Sequence, residues 1–206
     1  MSLVTIKQLR PSTSYTRSSH LSNLQQNLNL YLRQVQIGLD PSSLLTSEPQ
    51  LAEAIAQLNS VMPTVLQPNH PIQLGVDLTA PLTLPDSTTV YLQATVNLGM
   101  RRGVPKIFDW TFRHPRFNWT DATRLWVVTQ FYRRQNIAAS QIKLVVIALH
   151  LTRPPLPVVF DWSAPMQQRT QKWLIQRLQP QSNSPQFNSS QNTVNVDFES
   201  IPEVVL

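Results

Sequence analysis

The spacing of apolar residues changes along this chain, and the change predicts its elements. Leu21, Leu24, Leu28, Tyr31, Leu32 and Val35 recur at helical spacing, so residues 21–36 predict an amphipathic helix. Leu39-Asp-Pro-Ser-Ser breaks it. Residues 49–58 predict a second helix, with Pro49 in its first turn and Ser47 as N-cap. The period then drops to two. Residues 72–78 alternate, and residues 89–98 alternate more regularly, so both predict half-buried strands. Gly99, Gly103 and Pro105 predict a turn over 99–105, and residues 106–112 the returning strand of a hairpin. Helical spacing resumes over 121–135, capped by Thr120 or Asp121, with Ala122, Leu125, Trp126, Val128, Thr129 and Tyr132 facing inward. The continuous apolar run at 144–149 predicts a buried strand within 141–151. Prolines 154, 155 and 157 turn the chain into a strand at 158–162. Ser163 and Pro165 then open a last helix that ends near residue 178.

This order predicts an α/β domain with a mixed central sheet and flanking helices. Residues 1–20 are Ser/Thr-rich and aperiodic and predict an N-terminal arm. Residues 21–179 predict a single domain. Residues 180–206, rich in Gln, Asn and Ser with an acidic end, predict a disordered tail.

Composition removes several function classes. There is no cysteine, which excludes disulfides, Cys-ligated zinc, iron–sulfur clusters and thiol nucleophiles. His20, His70, His114 and His150 are scattered, which argues against a histidine metal site. Neither G-x-x-x-x-G-K-[ST] nor G-x-G-x-x-G occurs, so no glycine-rich phosphate loop is expected. Residues 1–8 lack the apolar stretch of a signal peptide, and no apolar run reaches the ~18–20 residues of a membrane span. The expectation is a soluble, cytoplasmic protein without a membrane partner.

Charge then singles out one half of the chain. Residues 101–177 carry thirteen Lys/Arg and three acids, whereas residues 34–100 carry no Lys or Arg and five acids. A basic face of this size attracts polyanions, nucleic acid first among them. Arg101 and Arg102 fall in the predicted turn, Arg113 and Arg116 follow the strand at 106–112, and Arg133 and Arg134 end the next helix. These six are the candidate nucleic-acid-binding residues and are expected to form one surface. Phe112, Phe117 and Trp119, interleaved with Arg113 and Arg116, are the expected stacking platforms for bases. The alternative partner is a protein, because Trp and Arg are also the usual hot-spot residues of protein interfaces.

One segment carries a more specific signal. The hairpin Gln93-Ala-Thr-Val-Asn-Leu-Gly-Met-Arg-Arg-Gly-Val-Pro-Lys-Ile-Phe-Asp-Trp-Thr-Phe112, within an α-β-β-β-α-β order, resembles the PD-(D/E)XK nuclease superfamily in its RecB-like branch. The resemblance covers roughly residues 50–162 and implies a restriction-endonuclease-like core. It also implies a site in which two carboxylates converge on Mg²⁺ or Mn²⁺, with a lysine one residue past the second carboxylate. On that pattern Asp109 matches the second carboxylate, Asn97 stands in place of the first, and Thr111 stands in place of the lysine. Gln130 and Tyr132 lie on the helix where the branch carries a Gln and a Tyr, but two residues apart.

The resemblance therefore implies a degenerate catalytic set (Asp109, Asn97, Thr111) and a nucleic-acid-binding or scaffolding subunit that needs no cofactor. An active nuclease is the alternative. Asp109 would then ligate Mg²⁺ or Mn²⁺, Arg113 would replace the lysine, and Asp77 or Glu53 would supply the missing carboxylate. A protein-interaction module is the third reading. Taken alone, Asp109 also fits a carboxylate paired with a nearby arginine at a strand end.

Overall fold

The computed structural model describes residues 2–9, 19–150, 153–179 and 204–205. Strand β1 (Ser2–Thr5) is followed by helices α1 (Ser19–Gln36), α2 (Ser42–Ser47) and α3 (Pro49–Val61). Then come β2 (Ile72–Thr83), β3 (Thr89–Arg101), β4 (Val104–Thr111), α4 (Trp119–Phe131), β5 (Lys143–Ala148), β6 (Leu156–Asp161), α5 (Ala164–Leu178) and the short β7 (Val204–Val205).

The strands form one mixed sheet organised around β3. One edge of β3 pairs antiparallel with β2 along most of its length. Its other edge is shared end to end. Strand β1 runs parallel to residues 90–93, and β4 runs antiparallel to residues 97–101. Strand β5 lies parallel to β4, and β6 and β7 continue antiparallel. Parallel neighbours need a long crossover, and α4 supplies it between β4 and β5. The α-β-β-β-α-β order expected from the sequence is therefore present, with helices on both faces of the sheet.

Alternation assigns the faces. Leu92, Ala94, Val96 and Leu98 of β3 share a cluster with Ile107, Leu144 and Phe160 and with α4 residues Ala122, Leu125 and Trp126. On the opposite face Phe108, Trp110, Ile147 and Leu149 pack with α1 residues Leu24, Leu28 and Leu32 and α3 residues Leu51, Ala54 and Leu58. Two polar contacts fix the helices over the second face. Asn29 Oδ1 of α1 accepts from Trp110 Nε1 at 2.7 Å. The Gln57 amide of α3 pairs with both backbone groups of His150: its Oε1 accepts from the His150 N–H at 2.9 Å, and its Nε2 donates to the His150 carbonyl. That pair closes the end of β5. Replacing Gln57 with leucine keeps the volume but strips both partners, so it should lower unfolding stability by about 1–2 kcal/mol, read from a urea midpoint.

Several expectations shift. Residues 2–9, predicted as part of an arm, form β1 and a 3-10 turn, with Ile6 and Leu9 buried in the core. The segment is too short to display a period, and its role depends on the free edge of β3. Residues 10–18 and 180–203 lie outside the described residues. The hairpin turn is Arg102-Gly103 rather than 99–105. Both residues have positive φ, 51° and 79°, as a two-residue type I′ turn requires. Glu48, not Ser47, holds the N-cap position of α3. Asn118 caps α4 in a capping box with Asp121, displacing both predicted caps, and Arg133 and Arg134 follow α4 in a separate 3-10 turn.

Candidate functional site

Pairing between β3 and β4 stops at Asn97–Phe108, and β1 takes over the β3 edge only at Gln93. Beyond Phe108, β4 thus has no strand beside it on that edge among the described residues. A polar cleft of about 630 Å³ opens there, between the N-terminal half of α1 and the start of α4. Asp109, Thr111, Arg113, His114, Arg116, Asp121 and Arg124 line it, with Gln25 and Gln26 of α1 across from them.

An ion cluster forms its floor. Arg124 Nη1 lies 2.9 Å from Asp109 Oδ2 and 3.7 Å from Asp121 Oδ1. The other Asp109 oxygen accepts from the Trp110 N–H at 2.9 Å and so caps the exposed strand edge. Asp121 Oδ2 accepts from the Asn118 N–H at 3.2 Å as the return half of the capping box. Its side chain is 11% exposed, against 34% for Asp109 and 29% for Arg124. Burial pushes the Asp121 carboxyl up to about 7; Arg124 opposes the rise, and the charge on Asp109 adds to it. At neutral pH the pair of carboxylates carries fewer than two full charges beside one guanidinium and the exposed Arg113 and Arg116. The cleft is therefore cationic.

Asn97 is not part of this site. It faces the α1 and α3 side of the sheet, as its cross-strand neighbour Phe108 does, whereas Asp109 faces α4. Its side chain is also committed. Oδ1 accepts from the Gly75 N–H at 3.0 Å, and Nδ2 donates to the Phe108 carbonyl at 3.2 Å. Asn97 thus clamps the β-bulge of β2 between Gln73 and Val76, where Gly75 has φ 64°. The β3 residue that would stand across from Asp109 by extension of the register is Val96, buried and apolar.

Thr111 does line the cleft, and its Oγ1 accepts from the Arg113 N–H at 3.2 Å. Asp77 accepts from Thr95 Oγ1 on β3, and Glu53 accepts from Gln57 Nε2 on α3; neither lines the cleft. Gln130 and Tyr132 sit at the far end of α4 and do not line it either. The second carboxylate beside Asp109 is Asp121. Its sequence signal was the Asp121-x-x-Arg124 spacing at a helix start, which sets the two side chains on one face.

The six candidate arginines divide into groups. Arg101 and Arg102 lie at the hairpin end of β4, and Arg113 and Arg116 beyond its other end. Eight residues of strand separate them, roughly 25 Å at about 3.3 Å per residue. Helix α4 packs over β2 and β3 and carries the chain from the end of β4 back to the start of the parallel strand β5, beside Lys106, so Arg133 and Arg134 return towards the hairpin end. A single six-arginine surface does not form. The aromatic platforms are not free either. Phe117 is buried against Phe160 with ring centroids 5.5 Å apart, Trp119 meets Trp173 at 5.6 Å with the rings tilted by 38°, and Phe112 packs on the α1–α3 cluster. Apolar burial outcompetes exposure for these rings.

The residues present do not fit a divalent ion. Arg124 occupies the space shared by Asp109 and Asp121, and no group of three metal-ligating side chains occurs among the described residues. No helix among them is long and apolar enough to cross a membrane.

No protein-family model matches the sequence. No curated protein matches it either. Among solved structures, a candidate exonuclease from Eubacterium rectale superposes with a TM-score of 0.49 at 10% identity, over 79% of this chain and 66% of that one. The chain thus spans just under two thirds of that protein's length. The protein SSO0001 superposes with a TM-score of 0.39 at 9% identity, over 87% of this chain and 78% of that one. Overlaps this loose carry no functional inference.

Proposed function

We propose that this chain is a nucleic-acid-binding or scaffolding subunit on a PD-(D/E)XK-like core in which an internal ion cluster replaces the hydrolytic centre. The observation that carries the reading is Arg124. Its guanidinium bridges Asp109 and Asp121 at the splayed end of β4, where the resemblance calls for a metal ion. The strand order and the position of Asp109 support the core. Thr111, in place of the lysine, has no cation to stabilise a developing phosphorane charge. Binding falls to Arg113 and Arg116, exposed at the rim and without a carboxylate partner among the described residues, with Arg124 below them. Guanidinium groups suit phosphate because they bond it in a bidentate fork.

Fluorescence anisotropy with a short single-stranded oligonucleotide tests this. Three phosphate contacts predict a slope of roughly −2 to −3 in log affinity against log salt, at about 0.7–0.9 per contact. Arg113→Ala with Arg116→Ala should flatten it by one to two units on the same rule. Oligonucleotides long enough to reach Arg101, Arg102, Arg133 and Arg134 should steepen it. Binding that ignores salt, or a double variant that binds like the parent, would refute the nucleic-acid reading. Mn²⁺-dependent cleavage abolished by Asp109→Ala would replace it with an active nuclease.

A further inference from the structure

A second cavity, of about 490 Å³, lies on the opposite face of the sheet from α4, at the hairpin end. Its floor is Phe108, Val145 and Val159, and Met62, Ile72 and Met100 form its sides. Helices α1 and α3 cover the outer half of this face through Trp110, Ile147 and Leu149, and only the end of α3 and the 3-10 turn Pro63–Leu66 reach this inner part, through Met62 and Thr64. Gly99 shapes the floor, since a Cβ there would lie 2.7 Å from the Phe108 ring.

The wall of the cavity carries an imbalance of charge. Gly99, Lys106, Lys143 and Asp161 are direct cross-strand neighbours in one row. Like charges placed opposite each other destabilise a sheet. Asp161 answers Lys143, with Oδ1 3.0 Å from Nζ. Lys106 has no carboxylate partner among the described residues, and the exposed Arg101 adds a further cation at the rim. An apolar, drug-sized cavity with a few convergent polar groups is the usual form of a small-molecule site. Methionine sides suit a flexible apolar body, because the thioether chain adapts its shape.

We propose that this cavity binds a medium-chain fatty acid or a like amphipathic carboxylate. Its chain lies over Phe108, Val145 and Val159, and its head group meets Lys106. The anion relieves the Lys106–Lys143 repulsion, and the apolar face loses its contact with water. This site is separate from the arginine cleft and does not depend on nucleic-acid binding.

Titration calorimetry with decanoate, on the full chain, tests the proposal. Decanoate should bind, and decyltrimethylammonium, with the same chain and opposite charge, should bind at least about tenfold more weakly, the worth of one charge-assisted contact. Lys106→Gln should weaken decanoate by a similar factor while its urea midpoint shows it folded. Arg113→Ala should leave decanoate binding unchanged. Absence of decanoate binding overturns the proposal, as do equal affinities for the two amphiphiles or an unaltered affinity in Lys106→Gln. A chain that binds no decanoate but sediments as a dimer, dissociated by Met100→Glu, would assign the groove to a second copy and overturn it too.

Discussion

Replacing Asp121 with asparagine should make the protein more stable near pH 8, and the gain should shrink as pH falls towards 4. Burial holds the Asp121 carboxyl at about 7, against 3.8 for an unperturbed group. Between those values the folded protein keeps a proton that the unfolded chain has released. Stability therefore falls as pH rises through the window, by about 4 kcal/mol if Asp121 acts alone. Asparagine cannot ionise, yet its carbonyl oxygen can still accept from the Asn118 N–H, so the helix cap survives. Arg124 keeps Asp109 at 2.9 Å. Urea midpoints of parent and variant across this range read the effect. A variant that loses stability near pH 8 would show that the Asp121–Arg124 pair outweighs the burial of the carboxylate.

The change of Asn97 to aspartate restores, on paper, the carboxylate that the PD-(D/E)XK resemblance calls for. It should restore neither metal binding nor cleavage, because residue 97 faces α1 and α3 and Asp109 faces α4. It should also cost about 2–3 kcal/mol near neutral pH. An ionised aspartate still accepts from Gly75, but it has no hydrogen to give the Phe108 carbonyl and places a charge beside it. Acid should rescue the variant, since a protonated carboxyl donates again. Denaturation at two pH values and Mn²⁺ calorimetry check both halves. Micromolar Mn²⁺ affinity in the variant would place Asn97 in the site after all and would reopen the nuclease reading.

The Asn97 case shows how far the hairpin was legible. The strand at 89–98, its return at 106–112 and the crossover helix follow from local period and turn residues, and all three are present. A match between two strands does not state on which face of a sheet each residue falls. That depends on register, and a two-residue turn in place of a seven-residue one changes register. The arginines are a second case. Their number and their place near strand ends are facts of sequence. The strand between them sets Arg101 and Arg102 apart from Arg113 and Arg116, and only the run of α4 back along the sheet sends Arg133 and Arg134 towards the hairpin end.

Local chemistry in the chain alone therefore determined the α/β class, the order of the core elements, the helix at 21–36, the cap at Ser163 and the basic character of the second half. Each rests on residues within one or two turns of each other. Tertiary structure decided what depends on distant partners. Residues 2–5 became a strand because β3 offered a free edge, Phe117 became core against Phe160, and Trp119 was half-buried because Trp173 lay within reach. Asp109 met Arg124 rather than a second ligand position because β4 ends against the first turns of α4, and that contact spans fifteen residues of chain that no local period describes.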